Sequence, residues 1–274
     1  MLETGLSTEA LLAATIANLR RESFEAHLGA WLASCIAHDN VTTLAYFQDR
    51  APLPFRTKSR QPQVHAAFEN LYLTGAYLLD PFHDLHLEHA PAGMYRLSDI
   101  APDQFQRNRY FLDYYRSTTM IDEIGFVSYP SKGVSLHVCL GRDKISNQRF
   151  NPREIATAKR IAPIVVELSQ AHWKDLVSKG ELAEGDLVSD LIAAVSNTHS
   201  ISLSPRQAQV ALLVMQGHSS VSTGLRLGIS PQTVKVFRKQ LYKKCSISSQ
   251  AELFTLMLPL LGSGPVSPAR EGQN

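Results

Sequence analysis

The residues whose types and spacing most invite chemistry lie between Ser230 and Lys244. Ser230-Pro231 has the form of a helix start, a capping hydroxyl followed by proline at the first helical position. From there a 3.6-residue period puts Val234, Phe237 and Leu241 on one face. Gln232, Lys235, Val236, Lys239 and Lys243 share the other. A valine among lysines is out of place on an ordinary solvated surface. It suits a face that enters the major groove of double-stranded DNA. There Lys235 and Lys239 would reach base edges or phosphates, and Val236 would meet thymine methyls. Ser230, Thr233 and Arg238 are placed to hold phosphates beside the helix N-terminus. The competing reading is a helical bundle whose basic face is merely solvated.

Other residues suggest weaker chemistry. His83, His86 and His89, with Asp84 and Glu88 between them, bring three imidazoles to one side only if the segment is helical. A solvated histidine-rich surface turn is the preferred reading, with no metal and no cofactor. Cys35 near His38, and His137 near Cys139, are local pairs rather than a positioned triad. No nucleophile elbow or phosphate loop accompanies them, so an enzyme is disfavoured. Each of Cys35, Cys139 and Cys245 reads as a small buried hydrophobe, and three widely spaced cysteines argue against a disulfide framework. Tyr72, Tyr77, Asp80, Tyr110, Tyr114 and Tyr115 could line a small-molecule pocket of aromatic walls and a few polar groups. The same residues could instead be core and edge positions of a fold that binds nothing.

The elements that must position the basic face follow from capping signals. Ser204-Pro205, with Gln207 completing a capping box, opens a helix that Gly217 ends. Ser219 caps a short helix to Leu227, Gly228 turns the chain, and Ser249 with Glu252 opens a last helix. That last helix is apolar most of the way round, with Leu253, Phe254, Leu256, Met257, Leu258, Leu260 and Leu261. One stripe can pack on its own domain while the rest meets a twin, or the whole helix can be buried. Charge separates with this boundary. Between 201 and 261 stand seven cations (Arg206, Arg226, Lys235, Arg238, Lys239, Lys243 and Lys244) against Glu252 alone. The first 200 residues are net acidic although the whole chain is only +2. A small basic domain beside an acidic one is the electrostatic footprint of a polyanion ligand.

These residues carry a resemblance. Leu203-Ser-Pro-Arg206, Gly217, Leu227-Gly-Ile-Ser-Pro-Gln-Thr-Val-Lys-Val236, Arg238, Tyr242-Lys-Lys244 and Ser248-Ser-Gln-Ala-Glu-Leu253 are similar to the LuxR/GerE-type four-helix DNA-binding domain. The resemblance implies that Lys235, Val236 and Lys239 read the groove and that the last helix dimerises. It also implies a transcriptional regulator, with RNA polymerase as a further partner. The sequence departs from the family pattern at several places. Gln207 stands for the usual Glu, Phe237 for His and Cys245 for Leu. Val221-Ser-Thr-Gly224 replaces Lys-Glu-Ile-Ala, so Thr223 falls where a core isoleucine is expected. A buried unpaired threonine hydroxyl would cost ~1–3 kcal/mol.

Upstream, capped helices are expected from Ser7 to about Arg21 and from Ser23 through Cys35. Strands are expected at Val41–Phe47, Gly93–Leu97, Glu123–Tyr129 and Val134–Leu140, the last two joined by the hairpin turn Pro130–Gly133. Ala51–Pro62 reads as loop, and Val64–Leu79 and Asp103–Ser117 as helices. A long helix starts at Asn151-Pro152 and runs to Trp173, kinked at Pro163. Such a mixture predicts an α+β N-terminal domain over 1–173. A linker with a short helix (174–200), the helix-turn-helix domain (201–261) and a disordered tail (262–274) follow. Phe68-Glu-Asn-Leu-Tyr72 with Tyr77-Leu-Leu-Asp80-Pro81 is faintly similar to autoinducer-binding LuxR domains, an α/β/α sandwich. There the spacing to Asp80 is off by one and the usual tryptophan is absent. Asp122–Val127 and Leu140-Gly-Arg142 look like GAF- or PAS-like sensory domains. The expectation is a cytoplasmic homodimer with neither leader nor membrane span. Its N-terminal domain would sense a small molecule or control assembly. Two alternatives stay open: an acyl-homoserine-lactone receptor, and an interaction protein or anti-activator with weakened DNA binding.

Overall fold

Five strands form one antiparallel sheet: β1 (Asn40–Phe47), β2 (Leu53–Ser59), β3 (Gly93–Arg96), β4 (Met120–Ser131) and β5 (Val134–Asp143), in the order β2-β1-β5-β4-β3. The computed structural model describes residues 6–108, 110–178 and 186–261. The expected tail at 262–274 lies outside them. β5 is central and buried at all ten positions, so its run Val-Ser-Leu-His-Val-Cys-Leu is covered on both faces. The β4–β5 hairpin turns at Lys132-Gly133, where Gly133 takes φ +73°.

One sheet face presents Val41, Ala45, Phe47, Ile124, Phe126, Leu136, Val138 and Leu140 to the main core. The helices α1 (Thr8–Ala17) and α2 (Phe24–Cys35) lie in this region, and α2 contributes Phe24, Leu28, Trp31 and Leu32. The opposite face carries Tyr46, Ser135 and His137 and is covered by α3 (Pro81–Leu87). The Phe82 ring of α3 lies so close over Gly125 that a Cβ there would come within 2.5 Å of it. A single turn, α4 (Leu97–Ile100), follows β3. α5 (Pro152–Trp173) closes the first face with Ala158, Ile161, Ala162, Val165, Leu168 and Trp173. Asn151 and Glu154 form its capping box, and the helix runs through Pro163 as one element.

Three local expectations are corrected. The expected loop at Ala51–Pro62 contains β2. Its Pro54 sits on an edge strand beside a register shift opposite Thr43/Leu44, where a missing N–H is tolerated. Neither Val64–Leu79 nor Asp103–Ser117 is a continuous helix. Each breaks into short 3-10 and π turns: Pro62–His65, Phe68–Tyr72 and Ala76–Leu79 in one, Phe105–Arg107, Tyr110–Tyr114 and Tyr115–Thr118 in the other. The third concerns His83 and His86, which belong to a buried polar cluster rather than a surface turn. His86 Nδ1 meets Ser135 Oγ at 2.8 Å, Ser135 Oγ meets His137 Nε2 at 3.0 Å, and the Tyr46 ring packs on all three imidazoles. Burial drives His83 down to about 3 and His86 to about 4, with smaller contributions from neighbouring imidazoles, and holds His137 far below its ordinary value. Among the described residues, no group of three such side chains converges on a metal site.

The chain forms two compact units. One gathers Pro81–Ala101 with the described parts of Met1–Asn70 and Asp113–Glu181, and holds the sheet. The other gathers Leu71–Asp80, Pro102–Leu112 and the described part of Leu182–Asn274. Its helices are α6 (Asp186–His199), α7 (Pro205–Gln216), α8 (Ser220–Leu227), α9 (Pro231–Lys244) and α10 (Gln250–Leu261). α6 packs on α7 and α10 through its buried Leu191 and Val195. The turn at Ala76–Leu79 packs on α7 and α10 as well. In α10 the side chains of Leu253, Phe254, Met257, Leu260 and Leu261 are all buried within the chain.

Candidate nucleic-acid interface

α9 is built as its capping signals predict. Ser230 accepts the Thr233 N–H at 3.0 Å, and Pro231 occupies the first helical position. Val234 and Leu241 are fully buried and Phe237 half-buried, which anchors one face. The opposite face is open. Gln232, Lys235, Val236, Lys239 and Lys243 are exposed, Val236 at 47 %. Val236 is thus an exposed branched aliphatic side chain on the same helix face as Lys235 and Lys239.

Lys235, Arg238, Lys239 and Lys243 line an open cleft of about 650 Å³, together with Ser220, Tyr242 and Ile247. Of these, Tyr242 entered the sequence reading only within the resemblance, and Ser220 and Ile247 did not enter it. Tyr242 lies one turn beyond Arg238, whose guanidinium Nη2 donates to its hydroxyl at 3.3 Å. The i, i+4 spacing carried that signal. Arg238 is thereby held against a ring on the cleft wall, its guanidinium carbon 5.9 Å from the ring centroid. Ser230 and Thr233 remain exposed at the start of α9, their hydroxyls 2.8 Å apart.

The helices around α9 fix its orientation. Ser204 and Gln207 form the expected capping box of α7. Gln207 Oε1 also accepts from Lys244 Nζ at 3.0 Å, so the amide ties the start of α7 to the end of α9. α8 and α9 are joined by Gly228 in the left-handed region. At Gly224 a Cβ would stand 2.7 Å from the Ile229 carbonyl oxygen, so the missing side chain lets α8 close onto this turn. Ser248 and Ser249 both bond the Glu252 carboxylate, which caps α10.

Residues 201–257 match the family model of bacterial regulatory proteins of the luxR family. A "Putative HTH-type transcriptional regulator in exeN 3'region" from Aeromonas salmonicida is 31 % identical over 195 residues, which is 68 % of this chain and 97 % of that protein. The chain belongs to the LuxR family of bacterial regulatory proteins. Response regulator GacA of Pseudomonas aeruginosa is 40 % identical over 55 residues, 20 % of this chain and 26 % of its own. The crystal structure of the VqsR LBD domain from Pseudomonas aeruginosa superposes with a TM-score of 0.52 at 24 % identity. It covers 61 % of this chain and 98 % of that one, which fixes the α+β fold of the N-terminal part.

Within the LuxR-type domain the unusual α8 sequence has a physical consequence. Thr223 is fully buried and its hydroxyl has no hydrogen-bond partner. Val221 and Leu225 are instead exposed, Leu225 at 80 %. Two of the cysteines, Cys139 and Cys245, are buried, Cys35 is half-buried, and among the described residues none is joined in a disulfide. Burial raises the thiols of Cys35 and Cys245, which disfavours thiolate chemistry.

The aromatic candidates for a ligand pocket divide between the units. Tyr72, Tyr77, Asp80 and Tyr110 fall in the C-terminal unit, Tyr114 and Tyr115 in the N-terminal one. Tyr72 donates to Asp80 Oδ2 at 2.7 Å, and its ring lies 6.4 Å from that of Tyr77. Tyr110 is fully buried beside Phe105. Tyr115 donates to Glu123 Oε2 at 3.0 Å, and Tyr114 is buried. Among the described residues, no helix is long and apolar enough to cross a membrane.

Proposed function

We propose that the chain regulates transcription by laying the outer face of α9 in the major groove of double-stranded DNA. The observation that carries this reading is the open cleft lined by Lys235, Arg238, Lys239 and Lys243 beside the exposed Val236. Lys235 and Lys239 reach base edges or phosphates, Val236 touches thymine methyls, and Gln232 and Lys243 extend the contact along the groove. Ser230, Thr233 and Arg238 hold the phosphate backbone beside the helix start. A two-fold DNA site read by a homodimer, and contact with RNA polymerase, complete the proposal.

Electrophoretic mobility shift with the natural promoter region tests the assigned face. Lys235→Ala and Lys239→Ala should each weaken binding by about 1–3 kcal/mol if they read bases. A substitution that removes one phosphate contact should also lower the salt slope of log K by about one. Undiminished binding in both variants overturns the assignment.

For the N-terminal unit we propose that a small molecule is sensed. Its fold is that of the VqsR LBD domain. Acyl-homoserine lactones are one class to screen by thermal shift, and a rise in melting temperature would favour them. The anti-activator reading draws only on Thr223. Its unpaired hydroxyl weakens α8 packing but leaves the exposed face of α9 intact, so DNA binding is the favoured function.

A further inference from the structure

The chain between α4 and β4 contributes Pro102–Leu112 to the C-terminal unit, and there it binds the backbone of the α7–α8 junction. Gln104 N–H donates to the Gly217 carbonyl at 2.9 Å. Asn108 Nδ2 donates to the Gln216 carbonyl at 2.7 Å and more weakly to that of Met215 at 3.3 Å. Asp103 Oδ1 accepts the Ser219 N–H at 2.9 Å. The bonded groups are the last carbonyls of α7 and the capping N–H of α8, which helix geometry leaves without partners inside either helix.

The contact is built, not incidental. Asn108 is 1 % exposed, and its carboxamide oxygen is also used, accepting the Phe111 N–H at 2.7 Å. Gly217 takes φ +103°, and a Cβ there would come within 2.5 Å of Asn108 Nδ2 and 3.1 Å of the Phe105 backbone. Asp103, in contrast, is exposed. The Ser219 it holds is the neighbour of Ser220, which lines the basic cleft. Arg107, also exposed, makes none of these bonds. A carboxylate from more than a hundred residues upstream therefore sits at the start of α8, beside the cleft. Helix starts favour anions, and this one borders the surface assigned to DNA phosphates.

We propose that residues 103–108 are an autoinhibitory strap: Asp103 occupies the start of α8 as a DNA phosphate would, and the strap must yield for full DNA affinity. The proposal rests on the DNA-binding reading of α9. It gives a change in the N-terminal region a route to the DNA-reading helices, because whatever moves the chain between α4 and β4 moves Asp103.

Fluorescence anisotropy of the full chain with a fluorescein-labelled duplex of mixed sequence tests it. Asp103→Asn keeps an acceptor for the Ser219 N–H and removes only the charge, and its exposed position spares the fold. It should tighten binding about fivefold at low salt, an advantage that shrinks as salt screens the charge. Asp103→Ala and Asn108→Ala should tighten binding too and should speed hydrogen exchange at the amides of Ser219 and Gly217. Lys235→Ala serves as the control for the parent reading. If it weakens binding while the Asp103 variants bind no tighter than the unaltered chain, the strap is overturned. If binding is absent or indifferent to Lys235, the DNA reading fails and the strap falls with it.

Discussion

Thr223 shows how one side chain can be tolerated at a cost. Its hydroxyl is fully buried without a partner, so folding strips it of water and returns nothing. Thr223→Val keeps the shape and removes the polar atom. It should stabilise the chain by about 1–3 kcal/mol, with a melting temperature higher by roughly 2–4 °C per kcal/mol. A lower melting temperature would mean that the hydroxyl finds a partner in solution. Val236 is the complementary case, an apolar side chain left outside where burial was available to its neighbours Val234 and Leu241. Position on the helix, not hydrophobicity, decides which valine is core.

At the scale of the element, α8 and α9 depend on how closely their connecting turn can approach. Gly224 has room for hydrogen alone, since a Cβ would meet the Ile229 carbonyl oxygen at 2.7 Å. Gly224→Ala improves helix propensity by up to about 1 kcal/mol, yet must push the turn outward at a cost of about 1–3 kcal/mol. The expected outcome is a net loss of stability by urea unfolding and weaker DNA binding, because Ser230 and the start of α9 shift with the turn. The broken segments 64–79 and 103–117 make a related point. Their apolar spacing suits helices, but Gly75 takes φ +156°, and Asn108 divides its carboxamide between the end of α7 and its own turn. Tertiary partners outbid local propensity there. β2 was hidden for the opposite reason. Pro54, Arg56 and Lys58 are poor strand signals in isolation but suit a half-exposed edge.

For the molecule as a whole, the buried histidines set a limit on acid stability. In the unfolded chain their imidazoles titrate near 6.5, whereas His83 is held down to about 3 and His86 to about 4. The unfolded state therefore binds more protons once the pH falls below 6.5. Stability should be full above that value and should fall steadily toward pH 4, by about 1.4 kcal/mol per pH unit for each such histidine. Urea titrations across this range should show the slope, and His83→Leu should remove about one proton from it. A flat profile between pH 6.5 and 4 would show that the cluster opens to solvent at little cost. The cluster also corrects the surface-turn reading of this segment. Three histidines at i, i+3 and i+6 with two acids between them look solvated until a sheet face with Ser135, His137 and Tyr46 is laid against the first two.

The sequence by itself determined the DNA-binding half. Each of its helices carries its own start signal, the period of α9 sorts core from surface, and charge concentrates where the cations line the cleft. Those are local codes, read within a few turns of chain. It also located four of the five strands, β1 and β3 to within one residue at each end, because alternation and a glycine turn are local as well. Only the tertiary structure decided what depends on distant partners. It placed β2 on its edge, buried His83 and His86, divided the tyrosines Tyr72, Tyr77, Tyr110, Tyr114 and Tyr115 between two units, and set Asp103 and Asn108 on the α7–α8 junction. No spacing rule links residues more than a hundred positions apart. A hydrogen bond between them exists only once the rest of the chain has paid the entropy of bringing both ends together.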